Sequence, residues 1–218
     1  MNKLLIFDLD GTLIDSDECI FLTWKELFSK YPPRIEVDDE MIYEFNGPSL
    51  KDSLEKLYDE EDREFINKEY SRMTLKYYDT NVYLFKDELK YLKLLKEEGL
   101  KIALNTNKTR PRTTYTLNLF KMEDLFDYIV CGDEVKINKP DIEGVTKILS
   151  ALNIPKEDTY FIGDTYFDYL TAKNANLKTI ILTMLKRNDI ENLPGVIYIN
   201  SFEELYNFLH KEIVKNNN

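Results

Sequence analysis

Asp8 and Asp10 stand two residues apart at the end of the apolar run Leu4-Leu5-Ile6-Phe7, and Gly11-Thr12 follow at once. A carboxylate in that place is a nucleophile already anionic at neutral pH, and a second one beside it has the chemistry of a general acid and base. Three further stretches offer matching groups: Thr106 in Leu104-Asn105-Thr106-Asn107-Lys108, Lys139 ahead of Pro140, and Asp164 with Asp168 in Gly163-Asp164-Thr165-Tyr166-Phe167-Asp168. Gathered in one crevice, four carboxylates repel unless they are protonated or bridged by a cation. Hard oxygen donors in that number suit Mg2+, which takes one or two carboxylates plus phosphate and keeps several waters. The chemistry this set supports is phosphoryl transfer. On this reading Asp8 would attack phosphorus to give an aspartyl-phosphate, and Asp10 would protonate the leaving oxygen and then take the proton of the hydrolytic water. Thr106 donates to a phosphate oxygen, and Lys139 neutralises charge. Neighbouring anions are expected to raise the Asp10 pKa and help it carry a proton.

Each residue also has an ordinary reading. Thr106 fits a strand-end turn, Lys139 a solvated loop, Asp164 or Thr165 a helix cap, and Asp168 a favourable charge at a helix N-terminus. Their order along the chain, each after an apolar run or in a loop between helix and strand, is what favours a single site.

The elements that must position them follow from periodicity. Leu4 to Phe7, apolar without interruption, reads as a strand buried on both faces, so its acids emerge at a carboxyl end, where open α/β sheets bind ligands. From residue 15 to 80 the pattern is helical: Ile20, Trp24, Leu27, Phe28 and Tyr31 mark one face of a helix that Pro32-Pro33 stops. Residues 38–45, 50–58 and 65–77 supply three more helices, with Ser49 a cap for the second of these and no convincing strand among them. After residue 80, helices over 87–98, 112–121, 142–152 and 202–214 alternate with strands over 101–104, 128–131, 159–162, 179–182 and 196–199. That alternation implies a doubly wound parallel, Rossmann-like α/β sheet. The expected organisation is a core of residues 1–14 and 81–218 with a helical insert of residues 15–80.

Composition narrows the partners. The 218 residues are 43% hydrophobic, enough for a sizeable core, and the net charge is −11. Eighteen acids against nine bases fall within residues 15–80, so the insert is the acidic body. Without a basic stripe, nucleic acid is excluded as a partner. No apolar run is long enough to span a bilayer, and Asp8 interrupts the first one too early for a signal peptide, so no membrane partner and a cytoplasmic location are expected. Cys19 and Cys131 lack metal spacing and read as packing residues. His210, the one histidine, falls on the C-terminal helix as a surface residue, and no histidine-centred chemistry is available elsewhere.

The run Asp8-Leu9-Asp10-Gly11-Thr12-Leu13 resembles the nucleophile motif of the haloacid dehalogenase-like superfamily of phosphatases and phosphomutases. Thr106, Lys139-Pro140, and Gly163-Asp164-Thr165 with Asp168 resemble its second, third and fourth motifs. The resemblance implies that the Asp8 carboxylate, the Asp10 main-chain carbonyl and Asp164 bind Mg2+, with Asp168 supporting the site through water or hydrogen bonds. It implies that Gly11, Thr12 and Asn107 help bind the phosphate. It further implies that the insert is a C1 cap that closes over the site and selects substrate, with Asn46-Gly47-Pro48 and Lys51 as its specificity loop. Lys51, Arg63 and Arg72 are the cap's candidate anion contacts. Two departures are visible: Asp141-Ile142 follow Lys139-Pro140 where relatives often carry a second proline, and Asn176 stands where a glycine commonly ends the last helix of the fourth motif. The expected function is a Mg2+-dependent phosphatase acting on a small phosphorylated metabolite. The alternatives are a β-phosphoglucomutase-like sugar phosphomutase and a non-catalytic binding member of the fold.

Overall fold

Leu4–Phe7 form β1, the strand on which the molecule is centred. In the computed structural model, which describes residues 3–187 and 190–215, the chain continues through β2 (Ile14–Asp15), α1 (Asp17–Lys30), α2 (Asp39–Tyr43), α3 (Leu50–Leu57), α4 (Glu60–Asn81) and β3 (Tyr83–Leu84). It then alternates: α5 (Glu88–Glu97), β4 (Lys101–Asn105), α6 (Arg110–Phe120), β5 (Tyr128–Val130), α7 (Glu143–Leu152), β6 (Thr159–Gly163), α8 (Tyr166–Ala175), β7 (Lys178–Leu182), β8 (Val196–Ile199) and α9 (Phe202–Lys215). Six strands form one parallel sheet in the order β5-β4-β1-β6-β7-β8.

The alternation of side chains along β1 explains why it is apolar throughout. Leu5 and Phe7 join a cluster with Leu92 and Leu95 of α5 and Leu205 and Leu209 of α9. Leu4 and Ile6 point to the opposite face, against Val145 and Ile148 of α7 and Ala172 of α8. Both faces are covered, which is the condition for a buried parallel strand. From β1 the sheet grows outward one way through β4 and β5, and the other way through β6, β7 and β8. The switch point falls between β1 and β6, whose register pairs Phe7 with Ile162. Asp8 and Asp164 therefore leave the sheet side by side, and Phe7 opposite Leu104 brings Thr106 out on the other flank of Asp8.

The chain leaves and re-enters this core through β2 and β3, an antiparallel pair that matches Ile14 with Leu84 and Asp15 with Tyr83. Asp15 is thus in a strand, contrary to the expectation that residues 15–80 hold none; two residues are too few for any alternation to register. Between them α1 to α4 bury their own cluster. Trp24 lies at its centre, with ring centroids 4.7 to 5.2 Å from Tyr70, Phe45 and Phe28. Ser49 caps α3 by accepting from the Asp52 N–H, as anticipated. Asn176 closes α8 in the left-handed region at φ 57°, where asparagine is the usual substitute for glycine. Cys19 and Cys131 are free and buried, and His210 sits at the surface beside Glu98 at 2.8 Å. Among the described residues no helix is long and apolar enough to cross a membrane.

Glu88, in the first turn of α5, is 1% exposed. Its Oε2 accepts from the Phe85 N–H at 3.3 Å, and its Oε1 has no hydrogen-bond partner among the described residues. Burial pushes this carboxyl from 4.5 up to about 9. A carboxyl raised on folding binds its proton more tightly in the native state, so the stability it allows is full at low pH and is lost as pH rises through that window. Replacing Glu88 by Gln removes the slope. In thermal unfolding followed by circular dichroism, E88Q is expected to match the wild type near pH 5 and to melt several degrees higher near pH 9. Parallel curves for the two proteins across that range refute the assignment.

Candidate active site

Asp8 follows β1 without a spacer, and its N–H donates to the Ile162 carbonyl at 2.9 Å, which locks it to β6. The Lys139 ammonium sits between two carboxylates, 2.7 Å from Asp8 Oδ1 and 2.7 Å from Asp168 Oδ1, with all three side chains buried. Burial pushes the Asp8 carboxyl up to about 8, against the pull of Lys139. Burial also works against the Lys139 charge, yet Asp168 and Asp8 outweigh it and hold the ammonium above the ordinary lysine range. Asp168 is fixed in turn by the start of α8. Its Oδ2 accepts from the Thr165 hydroxyl at 2.7 Å, the Thr165 N–H at 3.1 Å and the Asp164 N–H at 3.2 Å, while Thr165 caps the helix. Gly163 makes this possible, since a Cβ there would lie 2.2 Å from Asp168 Cβ.

Asp164 is fully buried and accepts at both oxygens. The Thr12 hydroxyl donates to Oδ1 at 2.8 Å, and Arg187 donates to Oδ2 from Nε at 2.9 Å and lies 2.7 Å away at Nη2. The same guanidinium meets Asp17, the first residue of α1, at 2.6 and 2.9 Å. Gly11, at φ +80°, permits the close approach: a Cβ would stand 2.2 Å from Asp164 Oδ2 and 2.6 Å from Arg187 Nη2. Thr12 is thus spent on orienting Asp164, and neither Gly11 nor Thr12 lines the cavity above the site.

Asp8, Asp164 and Asp168 each offer a carboxylate oxygen within 4.8 Å of the others. Three hard oxygen donors at this spacing fit a small divalent cation such as Mg2+ and would not favour a thiol- or imidazole-seeking metal. The Asp10 carboxylate is not in this group. It turns instead to Lys108 Nζ at 2.7 Å and the Ser16 hydroxyl at 2.8 Å. Burial acts to raise its pKa, but Lys108 and Ser16 prevail and hold it below the ordinary range. That reverses the expectation from sequence: Lys108, in direct contact with Asp10, sets the direction there, and it is Asp8 whose carboxyl rises.

Asp8, Asp10, Thr106, Lys108 and Lys139 line one cavity of about 560 Å3, which extends between the core and α1 to α4. Thr106, 3% exposed, receives the Lys108 N–H at 3.1 Å on its hydroxyl oxygen, which leaves the hydroxyl proton available. Asn107 uses both ends of its amide within the protein: Nδ2 donates to the Gly47 carbonyl at 2.8 Å, and Oδ1 accepts from the Lys139 N–H at 3.0 Å. It joins the 46–49 loop to the Lys139 loop. Asn46 adds a bond from Nδ2 to Asp17 at 2.9 Å, and a Cβ at Gly47 would stand 3.3 Å from both Thr165 Oγ1 and Phe167 Cδ2, tighter than an ordinary contact. Lys51 is exposed at the cavity wall. Arg63 also lines it, donating from Nε to the Tyr58 carbonyl at 3.0 Å, whereas Arg72 pairs with Glu69 at 2.8 Å outside the cavity.

Three residues at the site went unread in the sequence: Arg187, Asp17 and Lys108. Lys108 had a signal, two positions after Thr106 in a loop already singled out. Arg187 had none, because its partners are 23 and 170 residues away.

The profile of the family described as haloacid dehalogenase-like hydrolase matches residues 5–182. The chain is 33% identical over 202 residues to pyrophosphatase PpaX of Halalkalibacterium halodurans, covering 93% of this chain and 90% of that one. A solved structure from Bacteroides fragilis described as a haloacid dehalogenase-like hydrolase superposes with a TM-score of 0.84 at 28% identity, over 94% of this chain and all of that one. A β-phosphoglucomutase from Clostridium difficile shares the fold at a TM-score of 0.83 and 21% identity, over 99% of each chain. With its four motif residues gathered around one sheet switch point, the chain belongs to the haloacid dehalogenase-like hydrolase family.

Proposed function

We propose that this protein is a Mg2+-dependent phosphatase that hydrolyses a small phosphorylated metabolite through a phosphorylated Asp8. The observation that carries the reading is Asp8 held at 2.7 Å by Lys139 at the wall of a cavity that also presents Asp10 and Thr106. An Asp8 oxygen, once its carboxyl has lost its proton, bonds to phosphorus as the bond from phosphorus to the leaving oxygen breaks, and Asp10, ionised beside Lys108 in the free protein, gives that oxygen a proton taken up as the anionic substrate binds next to it. A water oxygen then attacks the same phosphorus and its proton passes to Asp10. The bond to Asp8 breaks and inorganic phosphate leaves. Thr106 donates to a phosphoryl oxygen, and Lys139 places a positive charge beside the reacting carboxylate. Asp168 acts through Lys139. Mg2+ held by Asp8 and Asp164 would supply positive charge to the phosphoryl oxygens. The relatives named pyrophosphatase PpaX widen the candidate substrates from esters to a phosphoric anhydride.

Phosphate release from a panel of phosphorylated metabolites and pyrophosphate, with MgCl2, tests the proposal. D8N is expected to lose roughly 10³-fold or more in kcat with an unchanged circular dichroism spectrum; a variant that still turns over at the wild-type rate sinks the nucleophile assignment. Isomerisation of glucose 1-phosphate in the presence of a bisphosphate, faster than phosphate release, would favour the phosphomutase instead. A third prediction concerns the ion pairs. K139M strands two buried carboxylates and is expected to cost about 3–5 kcal/mol in denaturant unfolding. Adding D168N should restore part of that loss, and a double variant no more stable than K139M argues against the shared ammonium.

A further inference from the structure

Arg112 belongs to the first turn of α6 and lines the cavity, yet it pairs with no carboxylate among the described residues. Its guanidinium carbon lies 5.0 Å from the centroid of the Tyr70 ring, and its one hydrogen bond among the described residues runs from Nη2 to the Thr74 hydroxyl oxygen at 3.3 Å. Guanidinium carries five N–H donors, so most of this group's capacity is unspent. Arg110, two residues earlier, shows the contrast: it is turned away to Glu134 at 2.6 Å. Lys108 is the neighbouring cation. Its Nζ contacts Asp10 at 2.7 Å and the Tyr78 hydroxyl at 3.2 Å.

Tyr70, Thr74 and Tyr78 recur at every fourth residue of α4 and so share one face. Arg112 meets that face at Tyr70 and Thr74, and Lys108 meets it at Tyr78, near enough for the Arg112 charge to oppose that of Lys108. Asp10 bonds directly to Lys108, and Arg112 acts on it only from a distance, as the weakest of the groups that hold its carboxyl low. Beside the residue that serves the leaving oxygen there is consequently one positive charge with no carboxylate bonded to it among the described residues, at the wall of the cavity a leaving group must occupy. A neutral leaving group would leave that charge and its donors unmet. An anionic one would satisfy them, with charge-assisted and bidentate hydrogen bonds.

We propose that Arg112, with Lys108, forms an anion subsite for the leaving group, selecting phosphoric esters and anhydrides whose leaving group is itself negatively charged close to the bridging oxygen, as in a diphosphate. This rests on the phosphatase reading, which assigns Asp10 to the leaving oxygen. The rival role for Arg112 is a strut between α6 and α4, and that role would affect all substrates alike.

The test compares inorganic pyrophosphate with 2-hydroxyethyl phosphate, whose leaving group is neutral, using the full chain with MgCl2. The wild type is expected to favour pyrophosphate in kcat/KM. R112Q should lower the ratio of the two kcat/KM values about tenfold or more, with R112K intermediate. A wild-type preference for the neutral ester, or a ratio that R112Q leaves unmoved while both rates fall together, overturns the subsite. A binding readout keeps this separate from the failure of the catalytic reading. Trp24, the one tryptophan of the chain, lines the same cavity, so its fluorescence reports pyrophosphate binding to D8N. Adding R112Q to D8N should raise the apparent Kd about tenfold, and an unchanged Kd refutes the proposal even if no substrate is turned over.

Discussion

A single ammonium shared by two buried carboxylates is the interaction on which the site depends. An ionised carboxylate taken out of water costs several kcal/mol even after relaxation, and attraction to a well-placed partner is what offsets it. Lys139 does this for Asp8 and Asp168 together, at 2.7 Å to each. Arg187 performs the same service for Asp164 and Asp17, and Lys108 for Asp10. Every carboxylate of the proposed chemistry is thereby held next to a fixed positive charge. Elsewhere the molecule is permissive, with ion pairs that are mostly exposed and worth little individually.

The sheet supplies the geometry that makes this sharing possible. β1 and β6 are neighbours at the place where the winding reverses, so the acids that follow them emerge together without long loops to position them. The return of the chain through β2 and β3 then fixes where α1 to α4 sit. Asn107 to Gly47, Arg187 to Asp17, Lys108 to Tyr78 and Arg112 to Thr74 are among the bonds that join those helices to the core. Closure of the helical layer and orientation of the catalytic groups are in this way parts of one hydrogen-bond network.

Much of this was legible in the sequence, and the boundary of legibility has a physical cause. Asp8, Asp164, Thr106 and Lys139 could be read because each follows an apolar strand or sits in a loop beside one, and strand ends converge in a parallel sheet. The four helices of the insert could be read because Trp24, Leu27, Leu54 and Tyr70 recur with helical spacing. What escaped depends on partners distant in sequence. The lowering of Asp10 comes mainly from Lys108, 98 positions away, and although Lys108 stands in a loop already singled out, nothing near Asp10 announces the pairing. Thr12 and Asn107, which the resemblance assigns to the phosphate, have side-chain atoms bonded to Asp164, Gly47 and Lys139, partners that no local pattern names. β2 and β3, two residues each, are too short for a period to show.

The span of the Arg187 bridge bears on how the molecule assembles. Its two carboxylates come from residue 17 and residue 164, so the contact joins the first helix of the chain to the loop beyond β7. Contacts of such sequence separation are the costliest to close in entropy and tend to form late. The bridge therefore closes only when the sheet through β7 and the first helix are both in place, so no fragment that ends before Arg187 can make it.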